Sequence, residues 1–227
     1  MFNKRNQLDE TLNQMLDNPK FHDYYIFLTE TNKITNLTRI TDIDSVYYKH
    51  FYDSIILSKH LDLKNKTILD IGAGAGFPSI PLKIIEDSLQ VTIVDSLNKR
   101  IRFLDDLVDK LNLEGVKNIH GRAEELETKN HYDIVISRAV ARLNILVELT
   151  LPFVKPGGWF VAYKSSNYRE ELDEALTGIK KLGGSFDRAE TYQIDNEESH
   201  VLIFIKKVKS TDNIYPRQFA KIKNNPL

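Results

Sequence analysis

Two segments constrain this chain more than any other: Thr67 to Pro78, which reads Thr-Ile-Leu-Asp-Ile-Gly-Ala-Gly-Ala-Gly-Phe-Pro, and Val91 to Asp95, which reads Val-Thr-Ile-Val-Asp. Each is a short β-branched run that stops at a glycine or an acidic residue, and Pro81 to Glu86 between them has helical spacing. That order predicts one βαβ unit with a glycine-rich loop at its first turn. Glycines at 72, 74 and 76 leave no Cβ where strand passes into helix, so backbone N–H groups at a helix N-terminus can approach a ligand closely. Asp95 ends the neighbouring strand, 21 residues after Gly74. A carboxylate there can accept hydrogen bonds from two ribose hydroxyls.

The loop chemistry narrows the ligand. The dinucleotide fingerprint G-x-G-x-x-G/A needs a third small residue for close helix packing. Here the spacing is G-x-G-x-G and Phe77-Pro78 occupy that place, which disfavours a nicotinamide dehydrogenase. Asp70, two places before Gly72, completes the form D-x-G-x-G-x-G. With Asp95, this resembles the motifs of enzymes that use S-adenosylmethionine (SAM), whose loop must accommodate an amino-acid end and a sulfonium in place of a pyrophosphate. A glycine-rich turn alone could serve tight packing; the placed carboxylate of Asp95 favours a nucleotide-type ligand.

Beyond the loop, strands are expected at 90–94, 116–120, 132–137, 158–163, 186–194 and 200–207, with helices at 98–112, 143–151 and 168–182. Strands separated by helices imply a mostly parallel sheet covered on both faces, and the last two strands, with no room for a helix between them, an antiparallel hairpin. Residues 1–63 read as a helical extension packed on the core, with Leu8, Leu12, Phe21, Tyr24, Leu28, Val46, Phe51 and Ile55 at helical spacing. Residues 64–209 form the ligand-binding domain. Residues 210–227 form a basic tail, expected to be irregular and to order with a partner.

The 227 residues are 41% hydrophobic, enough for a real core, and carry a net charge of −1, so bulk charge does not announce a nucleic-acid partner. Charge is local: Lys206, Lys207, Lys209, Arg217, Lys221 and Lys223 face only Asp212 in the last stretch. With no cysteine there is no disulfide, thiolate metal site or cysteine nucleophile. The six histidines show no metal-site spacing, so no metal is expected. The start of the chain lacks a signal-like apolar stretch and no run approaches a membrane span, which leads us to expect a cytoplasmic protein with no membrane partner.

Three further places can carry chemistry. Gly121-Arg122-Ala-Glu-Glu125, at the exit of the third strand, can wrap an adenine edge, although the same residues also make a good helix start. Ser137 and Arg138 end the fourth strand, where an open parallel sheet presents its crevice, and are expected to face the transferable methyl. His50 lies on one helix with Asp53 and Ser54, at a spacing that lets them hydrogen-bond together.

Together these residues resemble the RsmG (GidB) family of bacterial ribosomal RNA methyltransferases. The matching pieces are Asn36-Leu-Thr38, His50-Phe-Tyr-Asp53-Ser54, Leu69 to Pro78 with Pro81-Leu82, Asp95-Ser-Leu-Asn-Lys-Arg100 with Arg102-Phe-Leu104, Arg122-Ala-Glu124, Ser137-Arg-Ala-Val-Ala141, Pro156-Gly-Gly158 and Lys164. This chain has Pro78-Ser79 and Lys164-Ser165 where that family usually has Pro-Gly and Lys-Gly. The resemblance implies a Rossmann-like, SAM-dependent methyltransferase fold of the α/β class, with a seven-stranded sheet. It also implies N7 methylation of one guanine in the decoding-region loop of 16S rRNA, on the small ribosomal subunit or its assembly intermediate, by a monomer.

Among site residues, the resemblance implies cofactor contacts from Gly72, Phe77, Asp95, Ser96, Leu97, Ala123, Glu124 and Arg138, to which the loop argument adds Gly74. Arg138, Lys164 and Arg122 are the candidate catalytic residues. Lys99, Arg100 and Lys164 are expected to hold RNA. Guanine N7 carries a lone pair and no hydrogen, so no general base is needed; an N-P-P-Y-like sequence, expected for exocyclic amine methylation, is absent after strand four. Other readings are a methyltransferase with a different RNA or small-molecule acceptor, and a non-catalytic RNA-binding assembly protein.

Overall fold

The computed structural model describes residues 9–194 and 199–227. Leu8, assigned above to the first helix, lies outside them. The chain opens with α1 (Glu10–Met15) and α2 (Pro19–Thr35), then α3 (Ile43–Val46) and α4 (Asp53–Ile55). Asn18 caps α2 by accepting the Lys20 N–H at 3.0 Å, and Pro19 occupies the first turn, where its missing donor costs nothing. Asn36 ends the helix in the left-handed conformation (φ 51°). The uniform helix expected around residues 46–57 is interrupted: Tyr47–Tyr52 form a π-helical turn, and Ser54 donates its hydroxyl to the His50 carbonyl at 2.5 Å. Single π-turns of this kind cluster at functional sites.

The sheet follows, with β1 (Thr67–Ile71), α5 (Ser79–Ile85), β2 (Gln90–Asp95), α6 (Asn98–Lys110), β3 (Val116–His120) and β4 (Tyr132–Arg138). α7 (Leu143–Thr150), β5 (Val154–Ser165), α8 (Tyr168–Lys181), β6 (Gly184–Gln193), β7 (Ser199–Lys207) and α9 (Phe219–Asn224) complete it. Strand order is β3-β2-β1-β4-β5-β7-β6, seven strands in one sheet. β1 to β5 pair in parallel, and β7 enters antiparallel between β5 and β6. The strand order turns back at β1 and β4, the switch point where ligands bind in open α/β sheets.

Two apolar layers sandwich the sheet. On one face Phe21, Tyr24, Leu28 and Phe51 of the N-terminal helices join Ile80, Leu104 and Phe204 in one continuous cluster, so the helical extension shares its core with the sheet. On the other face α7 and α8 pack Leu146, Val147 and Ile179 over Val135, Phe160 and Ile203. Tyr215 and Ile222 belong to this second layer. The last segment is therefore folded: its apolar residues find a groove beside α7 that its sequence does not advertise. Among the described residues no helix is long and apolar enough to cross a membrane.

Candidate active site

The loop after β1 is built as a set of donors around an open space. Gly72 donates its N–H to the Val94 carbonyl at 2.8 Å, tying the loop to the end of β2. Gly74 sits in the left-handed region (φ 62°), and a Cβ added there would meet nothing within 4 Å. Its N–H donates to Asp95 Oδ2 at 3.2 Å. At Gly76 (φ 98°) packing adds to the backbone's own demand for glycine, since a Cβ would lie 2.7 Å from the Tyr24 hydroxyl and 2.8 Å from Ile80. Tyr24 donates that hydroxyl to the Ala75 carbonyl, fixing the loop from the N-terminal helices.

Below the loop Asp70 is fully buried and accepts the Ser79 N–H at 3.2 Å. Burial pushes its carboxyl up to about 7, against the pull of Ser79. Ser79 opens α5 outside the left-handed region, so serine is accommodated where the family usually has glycine. Asp95 also takes the Leu97 N–H on Oδ1 at 2.9 Å and Arg100 Nη1 on Oδ2 at 3.1 Å. A carboxylate offers about four lone-pair sites, so three are filled and room remains for one more hydroxyl. The bidentate ribose contact expected from the sequence thus meets a carboxylate already engaged by the protein.

A cavity of about 500 Å³ opens from this loop, bounded by Gly72 to Ala75, Asp95, Gly121 to Glu124 and Arg138. A second, of about 440 Å³, lies beyond Arg138 and is lined by Asp53, Tyr163, Lys164, Glu171 and His200. Arg138, His50 and Ala139 border both. Arg138 is the node between them: Nη1 donates to Asp53 Oδ2 at 2.7 Å and to the Lys49 carbonyl at 3.3 Å, while its guanidinium carbon lies 5.0 Å from the Phe77 ring centre. Asp53 is buried, and its other oxygen accepts the Tyr192 hydroxyl at 2.7 Å and lies 3.4 Å from His200 Nδ1.

Phe77 is held between rings, 4.5 Å from His50 and 5.4 Å from Tyr24. His50 Nε2 is 3.0 Å from Thr38 Oγ1, and its Nδ1 is 3.1 Å from the Lys49 carbonyl. Burial first, then the nearby Arg138 charge, holds its ring down to about 4. Thr38 is itself placed by Asn32, whose Oδ1 accepts the Leu37 and Thr38 N–H groups at 2.6 and 2.9 Å.

Comparison with known proteins resolves what this architecture belongs to. The family model described as rRNA small subunit methyltransferase G matches residues 17–201. The chain belongs to that family. A ribosomal RNA small subunit methyltransferase G from Staphylococcus carnosus is 48% identical over 99% of this chain and 96% of that protein. One from Limosilactobacillus reuteri is 52% identical over 92% and 90%. Among solved structures, M. jannaschii TYW2 in complex with AdoMet matches with a TM-score of 0.60 at 17% identity, covering 75% of this chain and 80% of that one. YcgJ from Bacillus subtilis matches at 0.57 and 15%, covering 71% and 100%. At such identities these two structures speak for the fold alone, the Rossmann-like arrangement expected from the strand pattern.

Within this chain the structure sorts the sequence-based expectations. Gly72, Gly74, Phe77, Asp95, Ser96, Ala123, Glu124 and Arg138 all line the first cavity. Leu97 contributes its backbone N–H to Asp95, but its side chain is exposed and stays off the wall. Arg100 bonds the buried Asp95 and lines the first cavity. Lys99 points the other way, donating to the Thr35 carbonyl at 2.9 Å in an outer groove shared with Thr31 and Arg102.

The three candidate catalytic residues are not brought together: Arg122 lines only the first cavity and Lys164 only the second, with Arg138 between. Lys164 donates to Glu171 Oε2 and the Ala141 carbonyl, both at 2.6 Å, and braces the wall of the second cavity. Ser137 lines neither cavity. It is fully buried and donates to the Ile71 carbonyl at 3.0 Å, tying β4 to β1. His50 and Asp53 do not bond each other's side chains but meet on Arg138.

Asp53 as the anchor of Arg138, Tyr192 and His200 as the anchors of Asp53, and Phe219 on the wall of the first cavity were not anticipated. Only Asp53 carried a signal, its helical spacing from His50.

Proposed function

We propose that this protein transfers a methyl group from SAM to N7 of one guanine in 16S rRNA, acting on the small ribosomal subunit or its assembly intermediate. The donor fits on three features of the first cavity: the empty space over Gly74, the Asp95 carboxylate with one acceptor site left, and a volume within the usual range for a nucleoside-sized ligand. Gly72 to Ala75, Asp95, Ser96 and Ala123 would hold it. Bound there, SAM supplies a methyl group made electrophilic by its sulfonium.

The protein's own part is positioning and charge. Because N7 needs no deprotonation, this chemistry requires no general base; alignment and a site that tolerates cationic product carry the rate. Asp53 and Glu171 provide negative charge on the second cavity's walls, each already balanced by Arg138 or Lys164. A donor placed on N7 would block it, so Arg138 serves the reaction by holding guanine O6, a phosphate or the donor's carboxylate. Arg138, standing at the tip of β4 and shared by a donor-sized and a base-sized cavity, is the observation that carries this reading.

Borohydride and aniline treatment of 16S rRNA from cells with and without the gene tests it. Strand cleavage at one guanine, lost on deletion and restored by the wild-type gene but not by Arg138→Ala, is expected. An unchanged cleavage pattern would overturn the assignment.

A further inference from the structure

The family match ends at residue 201, but the chain's last segment returns to the cavity of the donor. It is pinned at three points. Lys207 is fully buried at the end of β7 and donates to the Leu151 and Leu182 carbonyls at 2.5 and 3.2 Å and to Thr211. Arg217 grips Glu148, a fully buried carboxylate of α7, through Nε at 2.7 Å and Nη2 at 2.5 Å, and its backbone N–H adds a third bond at 2.9 Å. Ile222 is fully buried. These bonds fix the position of α9, and Phe219, its first residue, becomes part of the cavity wall with Arg122, Ala123 and Leu149.

Through its contact with Arg122 that wall stands at the exit of β3, separated in the sheet from Arg138 on β4 by β2 and β1. With the ribose at Asp95, the base must extend away from the loop, past the turn that follows β3, toward Ala123 and Phe219. An aromatic ring there offers a flat apolar surface of the kind on which purines stack. The Arg122 guanidinium carbon lies 5.6 Å from the centre of the same ring, so the ring is braced on one side by a cation. We infer that residues 210–227 form a clasp whose Phe219 covers the adenine of the methyl donor. This inference rests on the donor reading given above.

Calorimetry with two probes tests it: S-adenosylhomocysteine, which has both ends of the donor, and 5′-methylthioadenosine, which keeps only the adenosyl end. Phe219→Ala and Phe219→Leu are expected to weaken both probes about tenfold, by equal factors, and Phe219→Trp to restore them. The melting temperature of the ligand-free Phe219→Leu protein, whose side chain keeps the apolar bulk, is expected to stay at the wild-type value. The inference is overturned if both variants bind as wild type does, if only S-adenosylhomocysteine is weakened, or if Phe219→Trp fails to rescue. Wild-type protein that binds neither probe overturns the donor reading itself, a result distinguishable from failure of the clasp alone.

Discussion

Arg138 ends β4 and Arg122 follows the end of β3, and both border the first cavity, yet they are held by different physics. The Arg138 side chain is 15% exposed and donates to a carboxylate that is itself tied to Tyr192 and His200. The Arg122 side chain is 54% exposed, with its nearest carboxylate contact to Glu124 at 3.9 Å and an aromatic face at Phe219. At the first end the charge is preorganised by buried partners, and removing one leaves the others unsatisfied. At the second the cation is solvated and contributes mainly as cover. One residue type thus supplies a rigid reference point at the reacting end and an adaptable wall at the purine end.

The largest effect that could break this contrast is that of Asp53→Ala, which leaves the Arg138 charge without its anchor. It is expected to cost about 3 kcal/mol in urea unfolding, whereas Arg122→Ala should cost less than about 1 kcal/mol. Equal costs would erase the distinction. Next comes Gly74→Val, which forces a β-branched residue into the left-handed region and fills the open space; donor affinity should fall at least about tenfold by calorimetry. Tyr192→Phe removes one bond to Asp53 and should cost about 1 kcal/mol, with little change in donor affinity.

The pH dependence has opposite signs at two buried groups. His50 is held down to about 4, so the neutral ring is the form the fold prefers. Its contribution is fully present above about pH 6.5 and is lost as pH falls from there through about 4. Asp70 is pushed up to about 7, so its contribution is fully present below about pH 3.8 and is lost as pH rises through 7. Denaturant midpoints should therefore show His50→Gln gaining on the wild type at pH 5 relative to pH 8, and Asp70→Asn gaining at pH 8 relative to pH 5. The smallest effect is that of Lys99→Ala, which should leave donor affinity unchanged and reduce the salt slope of RNA binding by about one.

The legible parts of the molecule were those whose logic is local. Thr67 to Phe77 announces strand, turn and helix start by alternation and glycine spacing, and Asp95 lies one strand further on. The sequence left undecided the places where adjacent side chains divide between two nearby environments. Arg100 and Lys99 are adjacent on α6, but a rotation of one residue sends the first to Asp95 and the second to the outer groove. Ser137 and Arg138 are adjacent on β4, where alternation buries one and opens the other. The tail failed for a different reason. Its basic composition hides Tyr215 and Ile222, and its burial depends on a groove built by α7.

The sequence by itself determined the βαβ nucleus, the mostly parallel sheet, the donor loop and the family, because strand periodicity, glycine placement and motif order act over a few residues. Only the tertiary structure decided what holds Arg138 and what closes the purine end. Tyr192 meets Asp53 across 139 positions of chain, and Phe219 meets Arg122 only after the last segment has crossed α7. Such contacts are set by the packing of whole elements against one another, and no local pattern encodes them.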